Sequence, residues 1–231
     1  MSKFLRFGLT AIALAFLFNA FAVTEAKAQN VLNEIFNRME AHRAALKTMQ
    51  SKVTMIKRDE MLGVNDTYQG TVKFIPGKTE NDMYIRIDWT KPNEQLAVLK
   101  TDYLLYRPAL NQVIVGKVSK AKNSANTGGA LSFMSMSKAQ LKANYSVKYL
   151  GEATLSSGAK TVHLELTPKN KQKYKSAELW VDSDGMPLQM KVVENNNDST
   201  TVLLYDIKKN LSLDPNVFRL KYPENAKVIK G

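Results

Sequence analysis

Hydrophobic and polar positions change rhythm along this chain, and the changes mark its elements. Between residues 30 and about 50, Val31, Leu32, Ile35, Phe36, Met39, Leu46 and Met49 recur near helical spacing, with Glu34, Arg38, Glu40, Arg43 and Lys47 between them. That pattern predicts one amphipathic helix capped by Asn30. The period drops to two after Ser51. Val53 and Met55 alternate with polar neighbours, Tyr68, Gly70, Val72 and Phe74 repeat the alternation, and Pro76-Gly77 stops it. Met83, Ile85, Ile87 and Trp89 share one face of the next strand, and Tyr84, Arg86 and Asp88 share the other. Leu96 to Leu99 is a short apolar run. Tyr103 to Tyr106 and Gln112 to Val118 make a hairpin around residues 107–111. Val162, Leu164 and Leu166 alternate with His163, Glu165 and Thr167. Ala177, Leu179 and Val181 pair across Asp182-Ser183-Asp184-Gly185 with Leu188, Met190 and Val192, and the turn at 195–198 leads into Thr201 to Ile207. Successive strands with short turns predict an antiparallel meander, curved enough to close partly on itself. The helix would lay its apolar stripe against that sheet.

Residues 119–144 interrupt the meander. A stretch rich in Ser, Ala, Asn and Gly comes first, then Leu131-Ser132-Phe133-Met134-Ser135-Met136 and a short helical pattern to Leu141. Its composition suits either a helix plugging one end of the barrel or a mobile lid over a cavity. Methionine fits both, because its flexible thioether adapts to irregular apolar partners. Leu131, Phe133, Met134 and Met136 are the residues expected to touch a ligand if the segment is a lid. From the sheet side, Ile87, Trp89, Leu104, Tyr106 and Val181 are the expected lining. Alternation says which residues share a face, not whether that face is core or cavity.

The first 28 residues read as a segment apart. Lys3 and Arg6 precede an apolar run from Phe7 to Val23, and Ala26-Lys27-Ala28 follows with the small-residue spacing of a signal-peptide cleavage site. The run approaches the roughly 17-residue lower limit of a membrane span, so an uncleaved anchor is the alternative. The spacing of the cleavage site favours removal of residues 1–28 and a mature domain over 29–231. With no cysteine in the chain, neither lipid attachment at a lipobox nor disulfides are available, and an exported fold must be held by its core alone.

Charge changes this picture little. The formal net charge is +12, and losing Lys3, Arg6, Glu25 and Lys27 would lower it to +10. The lysines are scattered, as in residues 169–175, without the aromatic interleaving of a nucleic-acid platform, so nucleic acid is not the expected partner. Solvated turns and faces account for most of the lysines; attraction to anionic headgroups or an acidic partner is the weaker functional reading. Two histidines and no cysteine give no ordinary metal-site pattern. Asp182-Ser183-Asp184-Gly185 lacks the later ligand positions of a calcium loop and reads as a hairpin turn. No Gly-x-Ser-x-Gly elbow or Gly-rich phosphate loop is present. The expectation is a binding protein, not an enzyme, with no cofactor and no metal.

The last third carries a family signal. Leu164-Glu165-Leu166-Thr167-Pro168-Lys169, the strand Ala177 to Asp182, the Asp184-Gly185 turn, the strands through Glu194 and Tyr205, and Leu213-Asp214-Pro215-Asn216-Val217-Phe218 follow in order. Arg86-Ile87-Asp88-Trp89, Lys91-Pro92 and Tyr103-Leu104-Leu105-Tyr106 precede them. Together these resemble the LolA-type periplasmic carriers of outer-membrane lipoproteins. The resemblance implies a mainly β, α+β fold: an unclosed antiparallel β-barrel with an N-terminal helix and a short helical lid segment. It implies a monomer in the periplasm that binds lipoprotein acyl chains, or another lipid, in an apolar cavity. An inner-membrane release complex and an outer-membrane acceptor would be its membrane partners. A lipid- or lipoprotein-sensing regulatory module on the same fold is the alternative. The need for such a shield is physical: at about 0.8 kcal/mol per methylene, a sixteen-carbon chain costs on the order of 12 kcal/mol to leave in water. One departure stands out. Where the family's lid-fastening arginine precedes a proline, this chain has Phe74-Ile75-Pro76, which leaves Arg86 as the nearest candidate.

Overall fold

The computed structural model describes residues 29–77, 83–118, 133, 136–172 and 174–231. The expected signal segment lies outside them. A first helix, α1, covers residues 29–45, with Gln29 and Asn30 already helical, so Asn30 is inside the helix and does not cap it. Leu32, Ile35, Phe36 and Met39 of its stripe are buried. The helix stops short of the expected end near residue 50, and the reason lies far along the chain. Asn210 accepts the Lys47 N–H at 2.8 Å and donates from its side-chain amide to the Ala45 carbonyl at 3.3 Å. A distant amide thus satisfies groups that a helix end leaves orphaned. Leu46 and Met49 are buried as the period suggested, but after the helix, and Met49 opens a strand.

The strands are β1 (Met49–Asp59), β2 (Val64–Ile75), β3 (Tyr84–Lys91), β4 (Asn93–Leu99), β5 (Asp102–Arg107), β6 (Gln112–Lys117), β7 (Tyr145–Thr154), β8 (Lys160–Pro168), β9 (Tyr174–Val181), β10 (Pro187–Glu194), β11 (Ser199–Lys209) and β12 (Lys227–Lys230). A second helix, α2 (Lys138–Asn144), precedes β7. All strands join one sheet in the order β12-β6-β5-β4-β3-β2-β1-β11-β10-β9-β8-β7. Neighbours are antiparallel except β12 and β6, which run parallel. The outermost strands, β12 and β7, sit at opposite ends of that order, so the sheet is one large unclosed surface as the resemblance implied.

One face of the sheet lies against α1. Val53 and Met55 of β1, Leu164 and Leu166 of β8, Ala177, Leu179 and Val181 of β9, Met190 and Val192 of β10, and Val202 and Leu204 of β11 meet the helix stripe in one buried cluster. The β9–β10 turn touches the helix backbone. A Cβ at Gly185 would come within 2.3 Å of the Arg38 carbonyl, so only glycine permits that approach. Helix α2 lies beside α1. Its Lys138 N–H donates to Glu40 at 2.9 Å, while the ammonium groups of Lys138 and Lys142 reach Asn37 and Asn33 at 2.6 and 2.7 Å. Ser137 and Gln140 close a reciprocal capping box at its start. The Glu40 carboxyl is held below the usual range, first by its hydrogen bond to Arg43 and then by the Lys138 N–H.

The opposite face carries a smaller core of its own. After β11 the chain crosses the outside of β3 and β4, where Pro215–Phe218 forms a 3-10 turn with Phe218 fully buried. Its ring lies 5.9 Å from that of Tyr84. Ala97, Val113 and Ala226 are buried too but stand outside the main cluster. The segment is fastened by Lys227 N–H to the Asn111 carbonyl and by the Asn111 amide to Asn225, at 2.8 and 3.2 Å.

Candidate functional site

Cross-strand pairing sorts the expected lining residues. Ile87 is opposite Leu96, Leu96 opposite Leu105, and Leu105 opposite Ile114. Directly opposed residues share a face, so these four form one row across β3–β6 on the inner side. A second inner row runs Ile85, Val98, Tyr103 and Gly116. Arg86, Ala97, Leu104 and Val115 make an outer row, and Asp88, Gln95, Tyr106 and Val113 another. Leu104 and Tyr106 therefore sit on the face opposite to Ile87 and Trp89, and one cavity cannot be lined by all four. Tyr106 packs outward instead, its ring 6.1 Å from Tyr222 of the C-terminal segment. The residues that take their places on the inner face are Tyr103 and Leu105. Val181 does face inward, but it is 1% exposed within the sealed cluster under α1.

Trp89 joins the inner face at the edge of the cluster, with Tyr68 set edge-on at 5.7 Å and 66°. Beyond it the packing thins. Leu96, Tyr103 and Val118 are part-buried against the cluster, and Leu105 and Ile114 are part-buried outside it. Phe133 is buried, its ring 5.8 Å from Tyr145, and Met136 packs against the same cluster. Leu131 and Met134, expected beside them, lie outside the described residues; Phe133, Met136 and helix α2 with its buried Leu141 are the described parts of residues 119–144. Phe133 thus lies beside the start of β7, and the Met136 N–H donates to the Phe133 carbonyl at 3.4 Å.

A charged pair borders this apolar surface. Glu94 is opposite Trp89, and its carboxylate lies 3.1 Å from Arg107 Nε. The Tyr68 hydroxyl is pushed up in pKa, first by burial and then by the Asp66 and Glu94 carboxylates, with Arg107 opposing. Arg86, the sequence candidate for the missing latch, donates to Asp88 at 2.8 Å on the outer face. It cannot reach a ligand or lid inside. The position before Pro76 holds Ile75, opposite Tyr84, and Phe74 is buried in the core opposite Met49 and Ile85.

An open cleft of about 490 Å³ lies on the outer face, lined by residues that include Ile56, Glu178, Trp180 and Lys191. His163 stacks on Trp180 at 4.2 Å, and Glu178 sits between His163 and Lys191 at 2.8 and 3.1 Å. Its ion-paired rim differs from the inner face, which is where apolar side chains accumulate.

Residues 45–221 match the family described as outer membrane lipoprotein carrier protein LolA. The chain belongs to the LolA family. No curated protein matches it significantly in sequence. Among solved structures, an uncharacterized conserved protein from Thermus thermophilus superposes with a TM-score of 0.53 at 14% identity, over 87% of this chain and 99% of that one. A LolA superfamily protein from Nitrosomonas europaea gives 0.41 at 14% identity, over 81% and 97%. Lipoprotein LppX of Mycobacterium tuberculosis gives 0.43 at 11%, over 79% and 99%. Within this LolA-family chain, Leu96, Tyr103, Leu105 and Ile114 on the inner face of β4–β6 are only part-covered, whereas Ile85, Ile87 and Trp89 of β3 are buried in the main core. Sequence alternation missed Tyr103 and Leu105 because β5 is apolar or aromatic on both faces. The two-residue turn between Leu99 and Asp102, which are themselves paired, held the information needed to choose.

Proposed function

We propose that this protein is a periplasmic carrier that takes the acyl chains of a lipoprotein, or of a related lipid, against the inner face of β3–β6 and moves them towards the outer membrane. The observation that supports this is the contrast in burial along the inner face. Leu164, Leu166 and Leu179 are 0% exposed, whereas no residue of β5 is fully buried although four of its six are apolar or aromatic. An apolar strip left part-covered inside a sheet of this family suits a greasy ligand that comes and goes. Leu96, Tyr103, Leu105 and Ile114 are the part-covered floor, and Ile87 and Trp89 bound it where it meets the sealed core. The ligand must be released without ATP in that compartment, so a surface of modest affinity serves better than a sealed pocket. The Glu94–Arg107 pair at the border marks where the polar end of an acylated ligand meets charge.

Native mass spectrometry of the protein purified from its own envelope tests the proposal. Co-purification with an acylated protein is the expected result. Free lipid together with a stable inner-membrane partner would favour the sensing module, and ligand-free protein that takes up no acyl probe would overturn both.

A further inference from the structure

The β1–β2 hairpin ends in a turn that is apolar where turns are ordinarily polar. Met61 is 93% and Leu62 70% exposed, with Val64 at 52%. The turn is built, not loose. Asp59 accepts the Leu62 N–H at 2.8 Å, Arg58 bonds Glu60 at 2.7 Å, and the Glu60 N–H donates to Asp198 at 2.9 Å. Gly63 takes the left-handed conformation, φ 66°, that closes the turn. Both apolar side chains are thereby held out into solvent, at a cost that folding alone does not explain.

On one side the hairpin extends past its neighbour: pairing of β2 with β3 ends at Gln69, opposite Lys91, and Val64 to Tyr68 continue beyond it, roughly 17 Å at about 3.4 Å per residue. On the other side β11 flanks it as far as Arg58, opposite Ser199, so there only the turn itself stands clear. Because successive strands alternate in direction, the β5–β6 and β8–β9 connections lie at this same end. The first exposes Leu110 at 65%. The second carries Lys169 and Lys171, and Lys175 follows at the start of β9; Lys169 and Lys175 bond neutral partners, the Lys142 carbonyl and the Asn197 amide. Around the tip itself Lys57 and Arg58 are met by Asp59, Glu60, Asp66 and Asp198, so attraction to an anionic surface comes from the basic connection and the positive chain as a whole. Apolar anchors combined with basic residues are what interfacial binding requires. A convex point of two side chains is a poor protein interface, since stable ones bury about 800 Å² per partner. A bilayer deforms around such a point.

We propose that this end of the sheet docks reversibly on an anionic lipid bilayer, with Met61 and Leu62 entering the headgroup region and Lys169, Lys171 and Lys175 facing the phosphates. The inference rests on the carrier reading, since a carrier must meet a membrane to load or unload. It is tested by flotation of the protein, expressed with residues 1–28 in place and purified from the envelope. The vesicles are phosphatidylglycerol with phosphatidylethanolamine, or phosphatidylcholine alone. Uptake of a fluorescent acyl probe is measured in parallel. The protein is expected to float with the anionic vesicles. Met61→Asp with Leu62→Asp should lower that partition at least about tenfold, with the unfolding midpoint and probe uptake unchanged. Lys169→Glu with Lys171→Glu should weaken binding to the anionic vesicles only. Failure of the unaltered protein to float, or equal flotation of the tip variant, overturns docking while leaving the carrier reading intact. Binding only to native membranes, lost after protease treatment of those membranes, would assign the tip to a protein partner and overturn it as well. Absent probe uptake with normal flotation would count against the carrier reading and not against docking.

Discussion

The two halves of the sheet differ in how sharply burial alternates. In β9, Ala177, Leu179 and Val181 are sealed while Glu178 and Trp180 between them are only part-buried. In β5 every residue is intermediate. Both strands belong to the same sheet, but β9 alternates Ala177, Leu179 and Val181 with Ser176, Glu178 and Trp180, whereas β5 carries Leu and Tyr on both faces. Their cover differs to match. β9 has α1 filling its inner side, whereas β5 has the C-terminal segment on its outer side and an incompletely packed inner side. A strand whose two faces are each half covered shows little contrast, and the proposed acyl-binding surface is read from that lack of contrast.

Truncation on the two halves gives the largest test of this difference. Leu179→Ala should cost about 2–5 kcal/mol of stability, the range for a sealed core leucine. Leu105→Ala should cost about 1 kcal/mol or less, because little packing is lost. Denaturant titration of both variants checks it, and equal costs would mean that the inner face of β5 is ordinary core. Next in size is an effect on binding. Leu105→Asp should weaken acyl uptake at least about tenfold, roughly 1.4 kcal/mol, with a small change in midpoint. Leu104→Asp, one residue away on the outer face, should loosen the C-terminal segment yet bind the probe normally. If Leu104→Asp abolished uptake instead, the assignment of faces would be wrong.

The smallest expected effect belongs to the sealed half. His42 on α1 has its pKa lowered, first by burial and then by Lys209, with Asp182 and Asp184 opposing, and its Nε2 is buried without a partner. The unfolded chain therefore binds the proton more readily than the folded one. Stability should be full above the ordinary histidine value of about 6.5 and fall as pH drops below it. Midpoints measured between pH 7 and 5 should show that slope, and His42→Gln should flatten it.

Much of the fold was legible in the sequence for a physical reason: where one face is sealed, alternation is strong. The strands through Val53, Phe74, Ile87, Leu164, Leu179, Met190 and Val202 all follow their periodicity. Legibility failed where cover was mixed or came from afar. Strand β7 gave no signal, since its inward Val147 and Tyr149 alternate with Lys148 and a half-exposed Leu150 at the open edge of the sheet. The end of α1 is set by Asn210, which no local pattern could reveal. Trp89 and Ile87 were read correctly as sharing a face, but β5 offered Leu and Tyr to both sides and its facing had to come from the β4–β5 turn.

The chain has two tryptophans, and they report on opposite faces: Trp89 inside at the edge of the open half, Trp180 outside, stacked on His163. Fluorescence quenching by a brominated acyl chain, in Trp180→Phe and Trp89→Phe variants, therefore tests the central claim most directly. Quenching is predicted in Trp180→Phe, where Trp89 remains, and none in Trp89→Phe. Quenching of Trp180 alone would place the lipid on the outer face and contradict the account.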